Sequence, residues 1–208
     1  MNQGTQRLKT FLTEGTFPVK GQCAIHLLMT RLDIINLELS MELDRNVIQM
    51  KSGRIKTYRS TCSKLEKKGL KKNIPTALKK IHDLIGVRAI CSYVDDIYRI
   101  EKRLKEQPDI RIMKVKDYIE TPKESGYQSL HILLKVPVSF QKETEYMEAE
   151  LQLRTAVMDY WANLDHQLRY KKECCYLAEI DRDLRACAGM VRDLDEKMLK
   201  VRKKIEKI

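Results

Sequence analysis

The groups in this chain of 208 residues with chemistry to offer are two acids and one concentrated run of bases. Asp83 heads an apolar run in HDLIGVRAI, and Glu150 stands in YMEAELQLRT, residues 146–155. The second stretch alternates. Tyr146, Glu148, Glu150, Gln152 and Arg154 share one parity, and Met147, Ala149, Leu151 and Leu153 the other, the pattern of a strand with one face in a core. Taken alone, such a polar row is a solvated sheet face, and an aspartate like Asp83 is as readily a turn or capping residue as a ligand. The bases change that balance. From Lys51 to Lys80 eleven basic residues face one acid, Glu66, which places nearly all of the net charge of +11 in one segment. Charge so concentrated suits a compact polyanion, such as the phosphates of a nucleotide, better than a coat for nucleic acid. Paired carboxylates beside a cationic phosphate cradle suit Mg²⁺ and phosphoryl transfer. Magnesium takes one or two carboxylates plus substrate phosphates, and the catalytic work is positioning and charge neutralisation.

That chemistry requires the strand headed by Asp83 to lie beside the strand holding Glu150. Residues 84–93, LIGVRAICSY, are apolar on both parities, as a central strand buried on both faces is. IRIMKVKDYI and YQSLHILLKVPV read as two further strands, the latter with Leu130, Ile132, Leu134 and Val136 on one face and Ser129, His131 and Lys135 on the other. Ile25, Leu28, Leu32, Ile35, Leu39 and Leu43 predict one helix over about 24–50, which Gly53 ends before a short extended RIKT. A second helix capped by Ser60 or Thr61 runs to Gly69, with Ser60, Lys64 and Lys67 on one face, and Pro75 opens a short helix that ends near Ile81. VDDIYRIEKRLKEQ is a helix stopped by Pro108, and Thr155 caps another that passes through Trp161, Leu164 and Leu168. Over 177–207, Leu177, Ile180, Leu184, Cys187, Val191, Leu194, Met198, Val201 and Ile205 keep a three-four alternation, a heptad seam flanked by mixed charges. The expected architecture is α+β, a mixed sheet of four or five strands with long helices at both chain ends, in a single domain over 1–208 whose catalytic core spans 51–172.

Four segments occur in order: GRIKTYRSTCSKLEKKG, IHDLIGVRAICSYVDDIYRI, KDYIETPKESGYQSLH and AELQLRTAVMDYWANLDHQLRYK. Together they closely resemble the RelA/SpoT-type synthetase domain, in particular the small single-domain alarmone synthetases. The resemblance implies a nucleotidyltransferase-like sheet and transfer of the β,γ-diphosphate of ATP to the 3′-hydroxyl of GDP or GTP, giving ppGpp or pppGpp and AMP. It implies that Arg54 and Arg88 sandwich adenine, a role that suits planar guanidinium groups. Lys56, Ser60, Lys64 and Lys67 match the positions that hold the ATP phosphates, and the lysines belong to the basic run already found from charge. Asp83 matches the Mg²⁺ aspartate, and Glu150 the glutamate that ligates Mg²⁺ or takes the 3′-hydroxyl proton. Tyr127 matches the tyrosine that stacks on guanine, with His131, Gln152 and Arg154 lining that pocket. Glu148 shares the face of Glu150 but reads as solvated, His82 and His166 as hydrogen-bonding residues, and Trp161 as core. One departure is visible, Ser125 where many relatives carry asparagine before the Gly-Tyr pair.

Two rival functions use the same features. Toxic small relatives transfer pyrophosphate from ATP to the 3′ end of tRNA, and the basic run would also serve RNA. A non-catalytic regulator that binds RNA or a nucleotide is the other. The GYQSLH segment favours a nucleotide acceptor, and the presence of both Asp83 and Glu150 argues against a non-catalytic protein. The N-terminal stretch has no apolar core of signal-peptide length and no apolar run is long enough to span a bilayer, so a cytoplasmic protein without membrane association is expected. The six cysteines show no C-x-x-C pair or zinc spacing and read as free thiols, the adjacent Cys174 and Cys175 included. The helices at the chain ends predict a homo-oligomer, a tetramer, with those helices at its contacts.

Overall fold

Alternating and doubly apolar segments settle into five strands: β1 Ile48–Ile55, β2 Ile85–Cys91, β3 Arg111–Asp117, β4 Leu130–Phe140 and β5 Glu143–Thr155. The computed structural model describes residues 3–140, 142–170 and 177–207. The strands form one sheet in the order β1-β2-β5-β4-β3, with β2 parallel to β5 and the other pairs antiparallel. The neighbouring strands required for the two acids are therefore present. Among the described residues seven helices accompany the sheet: α1 Gln3–Thr13, α2 Thr16–Leu43, α3 Tyr58–Lys67, α4 Ile74–Lys80, α5 Val94–Lys105, α6 Ala156–Tyr170 and α7 Leu177–Ile205. The class is α+β. None of these helices is long and apolar enough to cross a membrane.

The sheet has two unlike faces. Val87, Ala89, Ile132, Leu134, Ala149, Leu151 and Leu153 form a core with Ile25, Leu28, Leu32 and Ile35 of α2 and Ile97 and Ile100 of α5. Burial of side chains of this size, at roughly 1.5–3 kcal/mol each, fixes which face lies down. The opposite parity, with Arg88 on β2, His131 on β4 and Glu150 and Gln152 on β5, is left for the site.

Several helix bounds differ from the sequence-based expectation. The helix expected over about 24–50 runs Thr16–Leu43, because Asp44 takes a left-handed conformation at φ 49° and ends it. The residues after it join β1, so the extended piece begins at Ile48 rather than at RIKT. Gly53 is not a helix breaker. It lies inside β1, where a Cβ would stand 2.3 Å from Cγ2 of Ile25, so its bareness lets α2 approach the sheet. The next helix begins at Tyr58 and is capped by Thr57, whose hydroxyl accepts from the Ser60 amide, rather than by Ser60 or Thr61. Thr155 is the expected cap of α6, its Oγ1 accepting from the Met158 amide at 3.2 Å. Cys174 and Cys175 lie outside the described residues, while Cys23, Cys62, Cys91 and Cys187 are free thiols.

Helix α7 departs from its heptad reading in direction. Its N-terminal half packs inward, with Leu184 and Ala188 buried beside Trp161, whose Nε1 donates to the Leu184 carbonyl at 3.0 Å. Further along, the inward face is polar. Arg202 makes paired hydrogen bonds to Asp95 at 3.0 and 2.6 Å, and its guanidinium lies over the Tyr93 ring, which Arg45 also covers while pairing with buried Asp96. Leu194, Met198, Val201 and Ile205 therefore point outward, each between 47 and 64% exposed. Between these anchors Asp195 is buried and accepts from the Thr155 hydroxyl at 2.7 Å.

Burial pushes the Asp195 carboxyl up to about 6 from its ordinary 3.8, although the Thr155 hydrogen bond opposes the rise. A carboxyl that titrates higher in the folded than in the unfolded state costs stability once ionised. The cost is absent below 3.8, accrues up to about 6 and is complete above it. Asp195→Asn is expected to flatten this fall and to raise stability at pH 7.5 by roughly 2 kcal/mol, read as an increase in the melting temperature of several degrees.

Candidate active site

The acids and bases meet on the open face of the sheet because register places them in rows. One row across the strands reads Arg54, Gly86, Glu150, Leu133 and Lys114, and the next reads Ser52, Arg88, Gln152, His131 and Lys116. Directly paired residues stand about 5 Å apart, so each row is continuous. Asp83 comes two residues before β2 and Lys56 one residue after β1, and α3 reaches the same place through Lys64.

Asp83 is gripped from two sides. Lys56 Nζ lies 2.7 Å from one of its oxygens and Lys64 Nζ 2.8 Å from the other. Burial would raise its carboxyl, but the two ammonium groups outweigh it and hold the pKa at about 2. Glu150 accepts from a different set of partners. Gln152 Nε2 donates to it at 2.8 Å, and His131 Nδ1 stands 3.5 Å from its other oxygen. Burial and the nearby charge of Asp83 push the Glu150 carboxyl up, yet His131 and Gln152 bring it below the usual range. Both acids are thus carboxylates at neutral pH, close enough that each feels the other. No group of three or more acids, histidines or cysteines gathers into a metal cage among the described residues. Two hard oxygen donors beside lysine ammonium groups fit Mg²⁺, which draws the rest of its shell from substrate and water.

Between these groups lies a cavity of about 200 Å³ bounded by Ser52, Arg54, Asp83, Gly86, Arg88 and Gln152. The two arginines expected at adenine are on its walls. A smaller recess of about 90 Å³ opens on the other side of Glu150, among His82, Lys114, Lys116 and His131. A larger recess of about 410 Å³ lies away from both, under Phe11, Phe17, Ile81, Leu84 and Met147, and contains neither Asp83 nor Glu150. Ser60 sits in the first turn of α3, where its Oγ accepts from the Thr57 hydroxyl at 2.9 Å, and Lys67 is exposed in the last turn.

Tyr127 follows Gly126, which adopts φ +89° and packs against α7. The Tyr127 hydroxyl is 2.7 Å from His131 Nε2 and accepts from Arg154, which also donates to Gln152 at 3.0 Å. The four residues expected at guanine therefore form one hydrogen-bonded group. Lys123 Nζ lies 4.5 Å from the centre of the Tyr127 ring and 4.6 Å from that of Tyr118. A base that stacks on Tyr127 from this side takes the place of that ammonium.

Sequence reading missed three participants. Glu148 is not simply solvated, since His82 Nδ1 lies 2.6 Å from it. Lys123 lies in the ETPKESG loop, where nothing in its spacing marks it. Asp159 of α6 accepts from Arg88 at 2.9 Å and from Arg154 at 3.0 Å. A helical acid five residues beyond Arg154 carries no periodic signal that would single it out.

Residues 53–174 match the family model described as the region found in RelA / SpoT proteins. A GTP pyrophosphokinase of Bacillus subtilis (strain 168), YwaC, is 39% identical over 183 residues, 88% of this chain and 87% of that protein. The crystal structure of small alarmone synthetase 2 from B. subtilis superposes with a TM-score of 0.79 at 39% identity, covering 89% of this chain and 97% of that one. That of small alarmone synthetase 1 from B. subtilis, bound to its product pppGpp, gives 0.81 at 28% identity, covering 91% of this chain and 96% of that one.

Gly86 tests the cavity. A Cβ there would meet only the Arg54 carbonyl oxygen, at 3.9 Å, so the fold has room for a side chain that the cavity does not. Gly86→Val is expected to leave the melting curve unchanged and to weaken ATP binding by at least about tenfold, 1.4 kcal/mol, in a calorimetric titration.

Proposed function

The chain belongs to the RelA/SpoT family, and from that membership and the charged rows of its sheet we infer that it is a GTP pyrophosphokinase of the small alarmone synthetase kind. It transfers the β,γ-diphosphate of ATP to the 3′-hydroxyl of GDP or GTP and yields ppGpp or pppGpp and AMP. The observation that carries the reading is the Asp83 carboxylate held between Lys56 and Lys64, one strand away from Glu150. Neither tRNA pyrophosphorylation nor a non-catalytic role is favoured by these relatives.

In the mechanism we propose, adenine lies between Arg54 and Arg88 over Gly86, and its triphosphate runs toward Lys56, Ser60, Lys64 and Lys67. The phosphates draw Lys56 and Lys64 away from Asp83, and that exchange frees the aspartate oxygens. Asp83 and Glu150 are the residues that would hold Mg²⁺, which supplies neutralisation of charge on the transferred phosphates when bound. The guanine of the acceptor stacks on Tyr127, and His131, Gln152 and Arg154 hold that ring and Glu150 in place. The 3′-oxygen of the acceptor attacks the β-phosphorus of ATP, the bond to the α-phosphate breaks, and AMP carries away the bridging oxygen. The 3′-hydroxyl proton passes to Glu150. With its pKa below the usual carboxylate range Glu150 is a weak base, so positioning and charge neutralisation supply more of the rate than proton transfer does.

The cytoplasm, where ATP and guanine nucleotides are abundant, is the proposed compartment. Assembly is also proposed. Leu27, Ile34, Leu37 and Met41 of α2 are 39 to 78% exposed, as is the outer stripe of α7, and the two stripes do not cover one another. Exposed ribbons at heptad spacing fit contacts with further copies of the chain, and a homotetramer is the proposed state.

Two experiments test these readings. Labelled ATP incubated with GDP, GTP or tRNA is expected to label the guanine nucleotides and leave tRNA unlabelled. In the same assay Asp83→Asn, which changes charge and not volume, is expected to lower turnover by about 10²-fold or more while the fold is retained. Light scattering is expected to give a tetramer mass for the intact chain and a smaller one for Leu194→Asp combined with Met198→Asp. Leu184 is unsuited to this test because it is buried within its own protomer. A monomer mass for the unaltered chain overturns the assembly.

A further inference from the structure

Arg88 and Arg154 are assigned to different nucleotides, yet they share one anion. The Nη1 groups of both donate to the same oxygen of Asp159, Oδ1, at 2.9 and 3.0 Å. The other oxygen accepts from Asn163 Nδ2 at 2.9 Å. Asp159 is 9% exposed and Arg154 4%, so water reaches this junction only from the Arg88 side. Two guanidinium groups held this close need an anion between them, and burial together with Arg154 already lowers the pKa of Arg88. From Asp159 the contacts continue in one direction. Arg154 donates to the Tyr127 hydroxyl and to Gln152, and Gln152 donates to Glu150. A single carboxylate thus stands at the junction of the adenine wall, the guanine-stacking ring and the catalytic glutamate.

We propose that Asp159 is a positioning residue that couples the two substrate sites, fixing Arg88 for ATP and, through Arg154, Tyr127 for the guanine acceptor. The inference rests on the assignment of Arg88 to adenine and Tyr127 to guanine. When ATP settles Arg88, the Asp159 carboxylate is settled with it, and the Arg154–Tyr127 pair is left in its binding arrangement. Ordering contributed by the first nucleotide need not be supplied again by the second, and by linkage the effect is reciprocal. Asp159 is not needed to hold α6 on the domain. That helix has its own Thr155 cap, buried Met158 and Trp161, and the Trp161 hydrogen bond to α7.

Calorimetric titration of GDP, with and without a non-hydrolysable ATP analogue, reads the coupling directly. The unaltered enzyme is expected to bind GDP about tenfold more tightly when the analogue is present. Asp159→Asn is expected to bind each nucleotide a few-fold more weakly, with a coupling factor close to one, in a protein that still unfolds in one cooperative transition at a lowered melting temperature. Arg88→Ala gives a second measure that does not depend on the stability of the Asp159 variant. It is expected to weaken GDP binding in the unaltered enzyme, and to add nothing to that loss in the Asp159→Asn background. A coupling factor retained in Asp159→Asn, or absent from the unaltered enzyme, overturns the proposal while leaving the site assignment standing. If Arg88→Ala leaves ATP affinity intact, or Tyr127→Ala leaves GDP affinity intact, the assignment itself falls and the coupling falls with it.

Discussion

The parallel pairing of β2 with β5 runs from Gly86 beside Glu150 to Cys91 beside Thr155. At its start it brings Asp83 within reach of Glu150, in its middle it sets Arg88 beside Gln152, and at its end it delivers the chain into α6 so that Asp159 overhangs both. A slip of one residue would turn Glu150 and Gln152 into the core and bring Leu151 and Leu153 out. Val87, Ala89, Leu151 and Leu153, each no more than 2% exposed, hold the register against that slip. The apolar face of the sheet therefore determines the geometry of the polar one.

Each anion of the polar face already has a partner there. Asp83 has Lys56 and Lys64, Glu150 has His131 and Gln152, and Asp159 has Arg88 and Arg154. Part-buried carboxylates left without such partners would titrate upward and lose their charge. The same pairing keeps the cations from scattering the site by mutual repulsion. In the proposed mechanism substrate phosphates and bases enter by exchange, each taking a cation or a donor from a protein group that matches it in charge.

Much of this was legible in residue order. The alternation at 146–155 showed which side chains of β5 share a face, and the doubly apolar 84–93 showed that its neighbour is central. The charge run at 51–80 located the lysines that flank Asp83. What stayed hidden depended on tertiary context. The helix α1 has few apolar residues and rests on the domain chiefly through Leu8 and Leu12, too short a pattern to be read alone. The end of α2 is set by the left-handed Asp44, an aspartate without the glycine that usually signals such a stop. The heptads of α7 gave a stripe but not its direction, because Arg202 and Asp195 decide which side faces home. Asp159 was invisible since its importance comes from two arginines on different strands, and no local spacing records that.

The loop that carries Tyr127 is moulded on a helix from the far end of the chain. A Cβ at Gly126 would stand 2.5 Å from the Ala188 Cβ, and Gln128 Nε2 donates to the Ala188 carbonyl at 3.2 Å. Residues 48–155 hold every strand of the sheet, so Asp83, Glu150, Arg54 and Arg88 can come together while the ribosome is still making α7. The Tyr127 loop has His131 and Arg154 to rest on from the start, but it lacks its contacts to Ala188 until that helix emerges. During synthesis the rows of the sheet are therefore complete before the loop that carries Tyr127 gains its full support.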